Sequence, residues 1–133
     1  MPVTVSADAE LVRILVRDEK LSIPDRCLNV KIYCHDPSRG DPTPGRPTEV
    51  VWLAFGLPGN QKVMINAKDS SRNSGYMVNG DDHGPLITGT NPLYSGKAKR
   101  FGVTWKYSVT LKDGNGRTLH TIDPDVVIDP DPS

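Results

Sequence analysis

Residues 103–112 read VTWKYSVTLK, in which Val103, Trp105, Tyr107, Val109 and Leu111 alternate with Thr104, Lys106, Ser108, Thr110 and Lys112. An unbroken period of two predicts a β-strand with one face buried and the other in water. The DGNG that follows at 113–116 supplies residues tolerant of positive φ, so the chain is expected to reverse there and return as a hairpin along RTLHTI. Asp123-Pro124 should then interrupt the ladder, because proline has no N–H to donate. VVI at 126–128 reads as a last short strand, and residues 129–133 as a frayed acidic tail.

A second pattern lies upstream. From Val50 to Phe55 every residue is apolar, as expected for a central strand covered on both faces. LPGN at 57–60 reads as a turn, and QKVMINA after it as the partner strand of a second hairpin. HDPSRGDPTPGRP, with four prolines and two glycines in thirteen residues, can be neither helix nor interior strand and is expected to be a loop. The segment 68–99 is similarly irregular, with short strand candidates at 76–78 and 86–88. SADAELVRILVRDEK near the start fits two periods. Ser6 could cap a short N-terminal helix with Ala7, Leu11, Ile14 and Leu15 on one side. Val12, Ile14 and Val16 share a strand face instead, and their β-branching favours the strand.

About eight short strands separated by Gly, Pro and Asp turns predict an all-β domain over residues 1–133, built as a two-layer antiparallel β-sandwich. Twelve glycines and twelve prolines in a chain that is 36% hydrophobic agree with many short strands. The order of EVVWLAF, the PGN turn, a long loop, GVTWKYSVTL and DPDVVIDP resembles small bacterial proteins of cupredoxin-like or immunoglobulin-like sandwich form. The resemblance covers residues 48–130. It implies a fold rather than an activity. A blue-copper site needs two His, a Cys and usually a Met, the last ligands gathered on a loop near the C-terminus. Here the last cysteine is Cys34, and the KDGNGR loop holds neither His nor Met, so neither a metal nor any other cofactor is expected.

Sixteen basic residues balance sixteen acidic ones, which removes the overall positive field on which nonspecific nucleic-acid binding relies. Lys97, Lys99, Arg100 and Phe101, with Lys106 and Lys112, form a local basic stripe, but Trp105 and Tyr107 fall on the apolar face rather than among the basic groups. A membrane span needs roughly 18 apolar residues, and no run approaches that. With no signal-like start, the chain is expected in the cytoplasm. In an extended CLNVKIYCH, Cys27 and Cys34 lie on opposite faces roughly 23 Å apart, against the roughly 5.5 Å between Cα atoms that a disulfide needs. Cys34 is then a small buried hydrophobe and Cys27 a strand-end residue.

Candidate chemistry is sparse. His35, His83 and His120 have no ligand spacing, and no C-x-x-C, G-x-S-x-G or phosphate-loop pattern occurs. In the tail, Asp123, Asp125, Asp129 and Asp131 could converge on a cation only if the strand between them folded back. The best polar cluster is NGDDHGP at 79–85, whose Asn, Gly and Asp are first of all turn residues serving backbone geometry, and whose functional reading is a polar lip that holds a ligand or a cation. Ligand- or partner-binding candidates are therefore Arg72, Tyr76, Asn79, Asp81, Asp82, His83 and Tyr94, all in the longer loop. The expected function is non-enzymatic: a binding or protein-interaction module working through loops 36–47 and 69–94, with a protein or small-ligand partner. One alternative is an assembly subunit pairing through a strand edge, including with copies of itself. The other is a small enzyme centred on Asp81, Asp82 and His83.

Overall fold

The computed structural model describes residues 9–34, 38, 46–67, 86–95 and 102–130. Ten strands account for most of them: β1 Ala9–Arg17, β2 Lys20–Ser22, β3 Asn29–Cys34, β4 Glu49–Phe55, β5 Lys62–Ala67, β6 Leu86–Ile87, β7 Leu93–Tyr94, β8 Val103–Lys112, β9 Thr118–Ile122 and β10 Asp125–Pro130. The helix among the described residues is a single turn, α1, Asp25–Leu28. The protein is thus mostly β, arranged in two sheets. Sheet 1 has the order β2-β1-β4-β7, and sheet 2 the order β3-β10-β8-β5-β6, with β9 also on β8.

Both sheets are mixed, which corrects the antiparallel expectation. β1 runs parallel to β4, with Val12 beside Trp52 and Leu15 beside Phe55. β10 runs parallel to β3, with Ile128 beside Ile32. A parallel neighbour is reached by a crossover rather than a hairpin, and the sequence marks no such crossover. The second expected hairpin is also corrected. β4 belongs to sheet 1, whereas β5 lies in sheet 2 against β8 and β6, so LPGN carries the chain from one sheet to the other. The patterns of the two strands differ accordingly. β5 alternates, with Val63 and Ile65 buried and Lys62 exposed, while β4 is apolar on both faces.

The sheets share one core. Val12, Ile14, Val50, Trp52 and Ala54 from sheet 1 meet Val30, Ile32, Ile65, Trp105, Tyr107, Val109 and Ile128 from sheet 2 in one buried cluster. Trp52 joins the two sheets: its indole N–H donates to the Tyr107 hydroxyl at 3.1 Å, and its ring meets that of Tyr107 edge-on at 5.5 Å. Trp105 stacks on Tyr107 with centroids 4.6 Å apart. Such pairs add roughly 0.5–1.5 kcal/mol to what burial alone contributes. Burial also raises the Tyr107 phenol far above its ordinary pKa, opposed by the Trp52 hydrogen bond and reinforced by Cys27 and Asp125 nearby.

The β8–β9 hairpin forms as its sequence requires. Asp113 accepts the backbone N–H groups of Asn115 and Arg117 on one carboxylate oxygen, at 2.8 and 2.9 Å, and these bonds hold its pKa below the usual aspartate value. Pro124 interrupts the ladder without resetting it. Val109 pairs with Ile122 and Lys106 with Asp125, so one register continues across the break, and Tyr107 N still donates to Pro124 O at 3.3 Å. β10 extends through Asp129 and Pro130, which are therefore strand residues rather than tail; residues 131–133 lie outside the described set.

The N-terminal segment is strand from Ala9 onward, so the alternative of a helix there is set aside for residues 9–17. Cys27 is corrected too. It sits in α1, where Pro24 starts a tight turn closed by Cys27 N donating to Pro24 O at 2.7 Å, and this rolls the thiol into the core. Both cysteines are buried and free.

Candidate functional site

Of the residues singled out in the sequence, Arg72, Tyr76, Asn79, Asp81, Asp82 and His83 lie outside the described residues, as do His35, Lys97, Lys99, Arg100, Phe101 and most of loops 36–47 and 69–94. Tyr94 is described and lies on β7. Arg46, at the end of the first loop, places its guanidinium 5.0 Å over the Tyr33 ring and donates to the Tyr33 hydroxyl at 3.1 Å. Tyr33 N donates to Pro47 O at 2.8 Å, so Pro47 lies along the edge of β3.

His120 acts as a clasp. Its Nδ1 accepts the Leu21 N–H at 2.7 Å, which ties β2 of sheet 1 to β9 of sheet 2. Among the described residues no group of three or more His, Cys, Asp or Glu is placed to hold a metal ion. Lys106 is exposed on the outer face of sheet 2 opposite Asp125, and Lys31 Nζ lies 3.3 Å from Asp129. That face mixes both signs with Thr104, Ser108 and Thr121, as alternation in β8 requires, so within the described residues the basic stripe is broken by carboxylates.

The outer face of sheet 1 is different, and its signal lies in β1 and β4. Val12, Ile14 and Val16 point into the core, so Leu11, Arg13, Leu15 and Arg17 point outward. In β4, Val50, Trp52 and Ala54 point inward, leaving Val51, Leu53 and Phe55 outside. The parallel register sets Leu11 beside Val51, Arg13 beside Leu53 and Leu15 beside Phe55, and β7 adds Tyr94 beside Val51. The result is an apolar strip across three strands. Val51 and Leu53 are 0% and 7% exposed, but Leu15, Phe55 and Tyr94 retain 43%, 46% and 37%. The sequence indicated a strand covered on both faces, and the structure leaves the far end of the outer cover open.

An open groove of about 300 Å³ adjoins this strip, lined by Glu10, Leu11, Arg13, Arg26 and Cys27. It forms because β2 reaches only Leu15–Arg17 of β1, and α1 approaches the earlier part, with Cys27 Sγ donating to Leu11 O at 3.6 Å. Among the described residues neither Arg13 nor Arg26 enters an ion pair; Arg17 meets Asp18 at 3.8 Å with both side chains almost fully in water, where such a pair contributes little. Arg13 therefore belongs to both features. It is the charged side chain set between Leu11 and Leu15 on the apolar strip, and it forms part of the groove wall.

No protein-family model, curated protein or solved structure matches the chain. Among the described residues no helix is long and apolar enough to cross a membrane.

Proposed function

We propose that this protein is a non-enzymatic interaction module that binds a protein partner on the outer face of sheet 1. We read its two mixed sheets as the layers of a sandwich of the cupredoxin-like or immunoglobulin-like kind that the sequence resembles. The observation that carries the functional reading is the in-register pair Leu15 and Phe55, both more than two-fifths exposed beside the buried Leu53. Contiguous exposed apolar side chains bordered by polar ones mark interaction surfaces more often than isolated ones do. Loops 36–47 and 69–94 remain part of the proposal as flanking contacts, since Tyr94 at the end of the second adjoins the strip. The strand-edge alternative is weaker at β2, β6 and β7, which have only three, two and two residues, and at β3, whose edge Pro47 approaches; among the described residues β9 and the Ala9–Ile14 side of β1 are the longer edges left to it. The enzyme alternative, around Asp81, Asp82 and His83, gains nothing from the described residues.

The test is a pull-down from lysate of the source cells with the natural chain and with Leu15→Asp/Phe55→Asp, alongside thermal melts of both. Proteins retained by the natural chain should be absent from the variant, while the melting temperature moves by only a few degrees, because both positions face outward. Identical retention by the two chains, or none by either, would sink the proposal.

A further inference from the structure

We infer that the partner, on the reading just given, presents a carboxylate flanked by large apolar side chains. The argument starts from Arg13. It projects from the middle of the strip, two residues from Leu11 and from Leu15 and directly beside Leu53 on the neighbouring strand. A partner covering Leu15 and Phe55 also covers the space around this guanidinium. Burying an unmatched charge opposes binding unless the covering surface supplies an acceptor. Arg13 has no ion-pair partner among the described residues, and on this inference its acceptor comes from the ligand. A carboxylate matches the planar fork of a guanidinium with two parallel hydrogen bonds.

The surroundings extend the requirement. Arg26 stands in the adjoining groove and Arg17 follows Leu15 on the same face. Among the described residues, opposing charges nearby are Glu10 in the groove, Glu49 at the start of β4, and Asp18 and Glu19 in the β1–β2 turn, at the margins rather than within the strip. The strip itself therefore offers apolar area with positive charge in it. A second copy of this chain is a poor occupant, because the same strip on that copy offers apolar side chains and Arg13 but no carboxylate to set over Arg13. The fitting occupant is a segment of another protein in which Asp or Glu is framed by residues such as Leu, Ile, Phe or Trp.

A phage-displayed library of random 16-residue peptides, panned against the full folded chain, tests this directly. Enriched peptides should combine Asp or Glu with large apolar residues. One of them, labelled and followed by fluorescence anisotropy, should lose about tenfold or more in affinity on Arg13→Glu and less on Arg13→Gln. Replacing its acidic residue with lysine should restore binding to the Arg13→Glu chain. Circular dichroism controls for folding, which an exposed position should leave intact. Peptides without acidic residues, or acidic ones indifferent to Arg13→Glu, would overturn the inference. If those peptides still depend on Leu15 and Phe55, the interaction module survives; indifference to all three positions, or no enrichment, removes both.

Discussion

Gly56 shows how one position can be fixed by both conformation and space. It ends β4 at φ +78°, a region that costs a residue with a Cβ roughly 1–2 kcal/mol. A Cβ added there would lie 2.5 Å from the Val16 carbonyl oxygen of the neighbouring strand. Gly59, three residues on, has neither restriction: its φ lies outside the left-handed region and nothing stands within 4 Å. Gly56→Ala should therefore destabilise by roughly 2–4 kcal/mol, whereas Gly59→Ala should be neutral or stabilise by about 0.4–1 kcal/mol through the unfolded chain. Urea denaturation of the two variants decides the matter, and equal midpoints would contradict the assignment. A glycine in a PGN sequence attracts attention as a turn residue, yet the demanding one is the less conspicuous Gly56, whose constraint comes from Val16, forty residues earlier in the chain.

At the scale of elements, the β1–β2 turn is an unfavourable local choice. Asp18 and Glu19 both have positive φ, 52° and 63°, in a two-residue hairpin closed by Arg17 and Lys20. Such a turn matches strand twist but prefers Asn-Gly, since residues with a Cβ are strained there. Asp18→Asn/Glu19→Gly should raise stability by about 1 kcal/mol, seen as a higher denaturant midpoint at unchanged slope; a lower midpoint would refute the strain argument. Asp-Glu is no turn signal, which is why the hairpin is invisible in RDEK, whereas DGNG announces the β8–β9 reversal. β8 and β9 were legible because their alternation and turn are local. The placement of β5 was not, because neither the turn length nor the apolar count says which sheet a strand will join.

For the whole molecule the decisive contact is the seam of Trp52, Trp105 and Tyr107, which unites the two sheets. Burial raises the Tyr107 pKa in the folded state, while the unfolded chain ionises near the ordinary value of about 10. Above that pH the unfolded state gives up a proton that the folded state retains, so stability falls as pH rises; below it this group makes no difference. Tyr107 tyrosinate absorbance should thus appear only together with loss of the fluorescence signature of the buried tryptophans. Tyr107→Phe should blunt the alkaline fall by removing the titrating group, though at neutral pH it leaves the Trp52 N–H without its acceptor. Titration of all four tyrosines before any change in tryptophan emission would contradict this picture.

The sequence by itself determined the β class, the strand identity of residues 103–112, the chain reversal at DGNG, and the apolar character of β4 on both faces, because each depends on periodicity and turn chemistry within a few residues. Of its chosen site residues only Tyr94 falls among the described positions, and the strip beside it was foreshadowed by Leu11 and Leu15, left outward once Val12, Ile14 and Val16 took the inner face. Tertiary structure alone decided the two parallel pairings, the passage from β4 to the opposite sheet, the burial of Cys27 and the placement of Arg13 beside Leu53. These depend on which distant strands meet, and pairing free energy is set by neighbours that local sequence does not specify.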